Sequence, residues 1–444
     1  MSRFERSWSL KSLFYLAEYL VFLTQIYNAI VRTTYFPRAW KHATIIMVRK
    51  PGKPRSELNS YRPISLLSLL SKIFERLLLT RLIVQLEPVI PQTQFGFRSL
   101  HSCPQQLDRV VSQILDTYEE KKVCLGLFID TEKAFDKVWH AGLLTKLKRV
   151  LSDTLYLIIR SYLTDRTYCV RYGDALSRSL YVSSSVPQGS VLGPILYTIF
   201  SSDFPAEPEL TVAHFADDVA VLSKQASCRQ AAEELQKMSV RINEWCQKWR
   251  VRVNPTKSAV VRFTYLRNVT NETVQLQGAP VPMSTSVRYL GLHLDQRLTW
   301  NVHISQTVNR MRQRVRALKH LLSSKAIAIH VKRLMYITLI RPIWQFGCAI
   351  WSSASDTQIR RVQTLQNRVL RIITGAPWYV RNRNLHRDLD LPEVITILQE
   401  TCSKHRSTLL AHTNELLRNI AENPTPARDR RRLKRKRHSD LAEH

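Results

Sequence analysis

The sequence predicts an α+β fold, and three observations carry that prediction. Residues 123–129 (VCLGLFI) form an apolar run with no polar alternation, the pattern of a strand covered on both faces. Residues 210–222 hold two apolar runs around the adjacent carboxylates Asp217 and Asp218, which read as the tight turn of a hairpin with mostly buried strands. Residues 71–87, 104–121 and 227–250 carry apolar positions at helical spacing, the last at Ala231, Leu235, Met238, Ile242 and Trp245, so helices alternate with strands.

The remaining elements follow in chain order. Residues 10–31 are apolar but contain Lys11, Glu18, Gln25 and Asn28, so they read as a helix of the fold and not a bilayer span. Residues 42–49 read as a strand, and 167–171 with 180–185 as a strand pair across Gly173-Asp174. Residues 191–200 read as a helix. From about residue 300 the chain becomes helical and rich in Arg and Lys, as in 308–322 and 327–339, with almost no Gly. The last basic run, Arg428, Arg430, Arg431, Arg432, Lys434, Arg435, Lys436 and Arg437, cannot build a core and reads as a disordered tail for nuclear import or RNA binding.

Composition narrows the function classes. With 66 Lys and Arg against 35 Asp and Glu, the formal charge of +31 attracts a polyanion and makes its binding salt-dependent. The 7 cysteines show no paired short spacing, which points to a reducing compartment and away from a disulfide framework. No signal peptide is visible, and 44% hydrophobic residues over 444 positions suffice for two or three subdomains with cores of their own.

Asp130 ends the apolar run 123–129, so it lies at the edge of a core, where a charge needs a partner. Together with Asp217 and Asp218 it concentrates negative charge where a divalent cation can sit. Mg²⁺ takes one or two carboxylates plus substrate phosphates, and a pair of such ions serves both the attacking and the leaving oxygen of a phosphoryl transfer.

Asp130 with Ala134, Phe135 and Asp136, then Pro187-Gln188-Gly189 and residues 190–194 (SVLGP), then Phe215-Ala216-Asp217-Asp218, resemble in order and spacing the blocks of a reverse transcriptase. Residues 50–53 (KPGK), 61–67 (YRPISLL), 94–98 (QFGFR), 289–291 (YLG) and 339–344 (LIRPIW) resemble the non-LTR, LINE-type retrotransposons. Residues 366–371 (QNRVLR) and 375–382 (GAPWYVRN) are most similar to the jockey-type elements. The resemblance covers about residues 26–395.

The resemblance implies a right-hand-like polymerase. An N-terminal helical segment (1–40) would precede fingers and palm (41–299), a helical thumb and C-terminal extension (300–422), and a basic disordered tail (423–444). It implies an RNA-directed DNA polymerase using an RNA template, a DNA primer and dNTPs, with Mg²⁺ or alternatively Mn²⁺ as cofactor, no membrane, and work in nucleus and cytoplasm. Asp130, Asp217 and Asp218 would be catalytic and metal-binding, and Asp218 need not face the metals as directly as Asp217, since turns break side-chain alternation.

Further roles are carried over residue by residue. Arg62 would grip the triphosphate with paired contacts, and Lys50 would join it, although Arg49 and Lys53 compete for that place. Phe135 would lie beneath the sugar and disfavour a 2′-hydroxyl, with core packing as its other reading. Gln188 and Gly189 would meet the nucleotide or simply form a turn, and Lys257 would donate a proton to the leaving pyrophosphate. Tyr289, Leu290 and Gly291 would form the primer grip.

Jockey-type elements carry an endonuclease upstream of the polymerase, and only about 40 residues precede the first expected strand here, so an endonuclease supplied elsewhere is the expectation. A remnant that only binds nucleic acid, and a polymerase of the group II intron or telomerase kind, are the other readings. The oligomeric state is not legible.

Overall fold

Strands form where apolar residues run without helical spacing. In chain order they are β1 (His42–Arg49), β2 (Tyr61–Leu66), β3 (Val123–Ile129), β4 (Thr167–Tyr172), β5 (Ala175–Leu176), β6 (Leu180–Tyr181), β7 (Leu210–Phe215), β8 (Asp218–Gln225), β9 (Ala259–Phe263), β10 (Gln275–Leu276), β11 (Ala279–Pro280), β12 (Met283–Ser284), β13 (Ser286–Tyr289) and β14 (Leu292–Asp295). The helices are α1 (Leu10–Thr33), α2 (Leu69–Leu86), α3 (Cys103–Glu119), α4 (His140–Lys148), α5 (Asp153–Leu163), α6 (Gly193–Phe200), α7 (Cys228–Trp249), α8 (Asn301–Ser323), α9 (Ile329–Met335), α10 (Arg341–Gln345), α11 (Cys348–Trp351), α12 (Asp356–Thr374), α13 (Asn382–Asp388), α14 (Val394–Leu410) and α15 (Glu415–Glu422). The computed structural model describes residues 10–50, 52–57, 60–266, 270, 272–422 and 437–441. Among them no helix is long and apolar enough to cross a membrane.

The chain divides into two units. The first comprises residues 1–91, 132–204 and 246–251. Its sheet runs β2-β1-β4-β5, with β6 also on β4. β1 is antiparallel to β2, pairing Val48 with Arg62, and parallel to β4. Behind the sheet Phe36 packs edge-on against Tyr162, with ring centroids 5.0 Å apart, and also meets Trp40 and Phe74. Glu75 on α2 is fully buried, and its carboxylate accepts hydrogen bonds from the Val191 N–H (2.8 Å), the Leu192 N–H (3.2 Å) and the Ser71 hydroxyl (2.8 Å). The chain entering α6 thereby gains an acidic partner from another helix, placed at the positive end of the helix dipole.

The second unit comprises residues 92–131, 205–245 and 252–444. Its sheet runs β12-β9-β3-β8-β7. β3 is central, antiparallel to both β8 and β9, and every one of its residues is buried, as its unbroken apolar run requires. Helix α3 packs on β3 and β7 and buries Leu107, Val110, Val111 and Ile114. The same core continues through the β13–β14 hairpin into α8, α12 and α14, so that Phe128, Tyr289, Trp300, Trp344 and Trp351 belong to one apolar cluster.

The two units cut across the expected block 41–299, since β3 and β7–β9 share their core with the C-terminal helices. Three sequence expectations are corrected. The helix expected over 327–339 is interrupted, with a π-turn at Tyr336–Ile340 between α9 and α10. Pro342 in the first turn of α10 can neither donate an i−4 bond nor tolerate a normal preceding turn, which gives the wider turn a physical cause. The expected strand 180–185 ends at Tyr181, since Ser185 turns away with φ 127° and its N–H bonds to Val138 O at 3.0 Å.

The third correction concerns the basic tail. Its residues 423–436 lie outside the described residues, but Arg437 is buried and its guanidinium bonds to Asp116 Oδ1 at 3.1 Å and Leu115 O at 3.4 Å on α3. Residues 438–441 close a 3₁₀ turn, and Leu441 joins the core. An ion pair to distant α3 and one apolar anchor hold residues 437–441, which charge counting alone does not reveal. All 7 cysteines are free thiols, six of them buried.

Candidate active site

The second unit brings the predicted carboxylates together. Asp130 directly follows β3, whose neighbour β8 begins at Asp218, and Phe215 pairs with Asp218 to close the β7–β8 hairpin around Ala216 and Asp217. Ala216 has φ +59°, a left-handed value that costs a residue with a side chain about 1–3 kcal/mol unless its surroundings hold it. They do so through Gln94. Its Oε1 accepts the N–H of Ala216 at 2.9 Å and the N–H of Gly96 at 2.8 Å, and its Nε2 donates to Ala216 O at 3.4 Å. A Cβ on Gly96 would stand 2.1 Å from Ala216 N, so only glycine lets the 92–98 segment lie against this turn.

That segment is buttressed in turn. Phe95 is buried with Leu409 of α14 and Leu417 of α15, and Asn414 donates to Gln92 O at 2.9 Å. The C-terminal helices therefore hold the segment that holds the carboxylate turn.

Asp130 is fixed through its backbone. Its N–H donates to Ser258 Oγ at 3.1 Å, its carbonyl accepts from Asn254 N–H at 2.8 Å, and Ser258 Oγ donates back to Asn254 O at 2.8 Å. Asn254 Oδ1 also accepts from Thr256 Oγ1 at 2.7 Å and Lys257 N–H at 3.2 Å, which rigidifies the loop carrying Lys257. The side chain of Lys257 is exposed.

The carboxylates feel one another. Partial desolvation, then the charges of Asp217 and Asp130, raise the Asp218 pKa from 3.8 to about 6, against an opposing pull from Arg288. Asp218 keeps an exposed edge, whereas Asp130 and Asp217 are half-buried. Oxygen donors at raised negative potential suit a hard divalent cation such as Mg²⁺. Among the described residues no three His, Cys, Asp or Glu side chains converge as a finished ligand cage, so fit rests on donor type and charge coupling.

Tyr289 anchors the hairpin expected at residues 289–291. Its ring is buried and its hydroxyl donates to Ala213 O of β7 at 3.2 Å, so it ties the hairpin to the sheet. Leu290 (φ 43°) and Gly291 (φ 86°) form the two-residue turn between β13 and β14, where positive φ at both positions suits the strand twist. A Cβ on Gly291 would meet the Phe346 ring at 2.8 Å, so the close approach at this glycine is to Phe346. Arg109 and His214 line the same interior. Burial lowers the Arg109 pKa to about 10 and the His214 pKa to about 3, which keeps that imidazole neutral.

The first unit holds the other candidates. Arg62 is exposed on β2, and Lys50 at the end of β1 has its N–H on Ser60 O at 2.7 Å. Gln188 O accepts from Ser65 N–H at 2.8 Å, and Gln188 Nε2 donates to Asp136 Oδ1 at 3.2 Å. Gly189 has φ +115°, and a Cβ there would stand 2.6 Å from Ser65 O, so this glycine lets the loop lie on β2. Ser65, Asp136, Pro187 and Gln188 line a cleft of about 370 Å³. Burial raises the Asp136 pKa, with Lys133 and Gln188 opposing. Phe135 stacks on Tyr197 with centroids 4.7 Å apart and planes 24° apart, which fixes its ring orientation.

In the sequence Gln94 is one letter of the 94–98 motif, and Asn254 and Ser258 carry no mark of their role as supports. Their work is done through backbone bonds, for which residue type gives almost no signal, although Gly96 beside Gln94 hinted at a close approach.

A family model described as reverse transcriptase (RNA-dependent DNA polymerase) matches residues 48–294, more than half of the 444-residue chain. The chain belongs to the reverse transcriptase family. Among its relatives, the probable RNA-directed DNA polymerase from transposon X-element of Drosophila melanogaster is 41% identical over 431 residues, covering 95% of this chain and 47% of the relative. The RNA-directed DNA polymerase from mobile element jockey of the same species is 38% identical over 438 residues, covering 95% and 48%. The chain thus spans about half the length of the curated relatives it matches. Apo telomerase from Candida tropicalis aligns with a TM-score of 0.41 and 13% identity over 86% of this chain and 69% of the telomerase. The α+β reverse-transcriptase fold and the jockey-like kinship expected from the sequence are therefore those of the chain.

Proposed function

We propose that this chain is an RNA-directed DNA polymerase that copies retroelement RNA into cDNA by two-metal nucleotidyl transfer. The observation that carries the reading is the set Asp130, Asp217 and Asp218, held at the ends of adjacent strands by backbone clamps, with Asp218 raised to about 6 by desolvation and then by the charges of Asp217 and Asp130. Relatives named RNA-directed DNA polymerases support it.

In the proposed reaction the primer 3′-oxygen bonds to the α-phosphorus of a dNTP, the bond to the bridging oxygen breaks, and pyrophosphate leaves. Bound Mg²⁺ would lower the hydroxyl pKa and neutralise charge on the departing group. Asp130 and Asp217 would hold the ions, with Asp218 as the outer carboxylate. Arg62, with Lys50, would take the triphosphate, and Phe135, held flat by Tyr197, would press on the sugar face where a 2′-hydroxyl would project. Gln188 and Gly189 would shape the nucleotide's approach, Lys257 would serve the leaving pyrophosphate, and the turn at Leu290 and Gly291 would lie along the primer. In this reading residues 41–299 supply fingers and palm and 300–422 the thumb and extension.

The test is extension of a DNA primer on an RNA template by the purified chain, with Mg²⁺ and with EDTA. Extension that requires Mg²⁺ and dNTPs supports the proposal. No extension while template-primer binding persists would reduce the chain to a nucleic-acid-binding remnant.

A further inference from the structure

The segment between α12 and α13 presents two aromatic rings to solvent on a fastened loop. Trp378 is 87% exposed and Tyr379 69%, more than the other large aromatic side chains described except Tyr172 and Tyr181, which lie on strands β4 and β6. An exposed Trp-Tyr pair gains no burial energy, so packing does not account for it. The backbone that carries it is fixed. Gly375 caps α12 at φ +67°, and the Arg371 guanidinium donates to Pro377 O at 2.6 Å, Val380 O at 2.6 Å and Asn382 Oδ1 at 2.9 Å. Ala376 and Val380 pack inward against the core while Trp378 and Tyr379 point outward. The rings stand nearly perpendicular, with centroids 6.0 Å apart.

The surroundings decide the partner. Arg381 and Arg383 follow at once and are exposed, in a chain of net charge +31. Flat rings beside guanidinium groups suit unpaired bases, since every base has a π-face and the backbone between bases carries the anion the arginines need. A duplex keeps its bases stacked internally and offers the rings nothing.

We propose that Trp378 and Tyr379 form a stacking platform for single-stranded RNA, with Arg381 and Arg383 on the flanking phosphates. The platform does not depend on the polymerase reading, because it is read by binding and not by extension.

The experiment measures the affinity of the full chain for a fluorescein-labelled single-stranded RNA, and for an abasic oligomer of the same length, across a salt series. The variants are Trp378→Ala with Tyr379→Ala, and Arg381→Ala with Arg383→Ala. Loss of each ring should weaken RNA binding about fivefold or more and leave abasic binding and the salt slope unchanged. Loss of both arginines should weaken both ligands and reduce the slope by about 1.4, two single-strand phosphate contacts. Trp378→Phe should restore most of the RNA affinity, which separates stacking from misfolding. Equal RNA affinity in the parent and the ring variant would overturn the proposal, as would an equal loss on the abasic oligomer. Loss of self-association by the ring variant, with RNA binding intact, would assign the rings to a protein contact and overturn it too.

Discussion

Replacing Gln94 by Met keeps nearly the same volume but removes the acceptor that serves two buried N–H groups, at 2.8 Å on Gly96 and 2.9 Å on Ala216. A buried donor left without a partner costs about 1–3 kcal/mol, so the pair sets a loss of about 2–6 kcal/mol in unfolding free energy. The left-handed turn at Ala216 also loses its clamp, and the carboxylate it aims, Asp217, is free to shift. A displacement near 1 Å at reacting groups can cost about a hundredfold in rate. Urea unfolding with single-nucleotide extension therefore reads both effects. Stability should fall by the stated amount, kcat by about a hundredfold, and template-primer affinity should stay within about twofold, because the change touches the turn and no nucleic-acid-facing cation. Gln94→Met with parental stability and parental kcat would refute the reasoning, and an equal loss in affinity alone would assign Gln94 to substrate binding.

The other predictions can be read in the same assays. Gly96→Ala forces a Cβ to 2.1 Å from backbone that cannot move aside, so it should cost about 3 kcal/mol or more in unfolding free energy and abolish extension. Phe135→Val should lower discrimination against ribonucleotides about tenfold or more in competitive incorporation; unchanged discrimination would leave Phe135 a packing residue on Tyr197. Lys146, desolvated over the Trp249 ring and paired with Asp203, has its pKa lowered from 10.5 to about 8. A lowered folded-state pKa favours folding above the unfolded value and loses that contribution as pH falls through about 8, so Lys146→Met should flatten stability measured between pH 7 and 10.

What was legible in the sequence has a common physical source. β3 spans residues 123–129 as its apolar run dictates, and the hairpin around Asp217 and Asp218 closes where two such runs meet. Both follow from burial on two faces, a property each residue type records on its own. The supports of the site do not. Gln94, Asn254 and Ser258 act through hydrogen bonds to backbone atoms more than a hundred residues away, and a glutamine bonded to a distant turn looks like any other glutamine. The inward turn of Tyr289 was hidden for a similar reason, since its hydroxyl meets Ala213 O only after two sheets are assembled. Arg437 shows the limit of charge counting, because its buried guanidinium pairs with Asp116 where composition reads a solvated cation.

The central claim is that Asp217 works in chemistry and not in binding. Single-turnover incorporation of one dNTP, measured for the parent and for Asp217→Asn with template-primer affinity taken on the same samples, tests it most directly. The account predicts that the Asn variant binds as the parent does and incorporates nothing measurable. Incorporation by Asp217→Asn at the parental rate would contradict it.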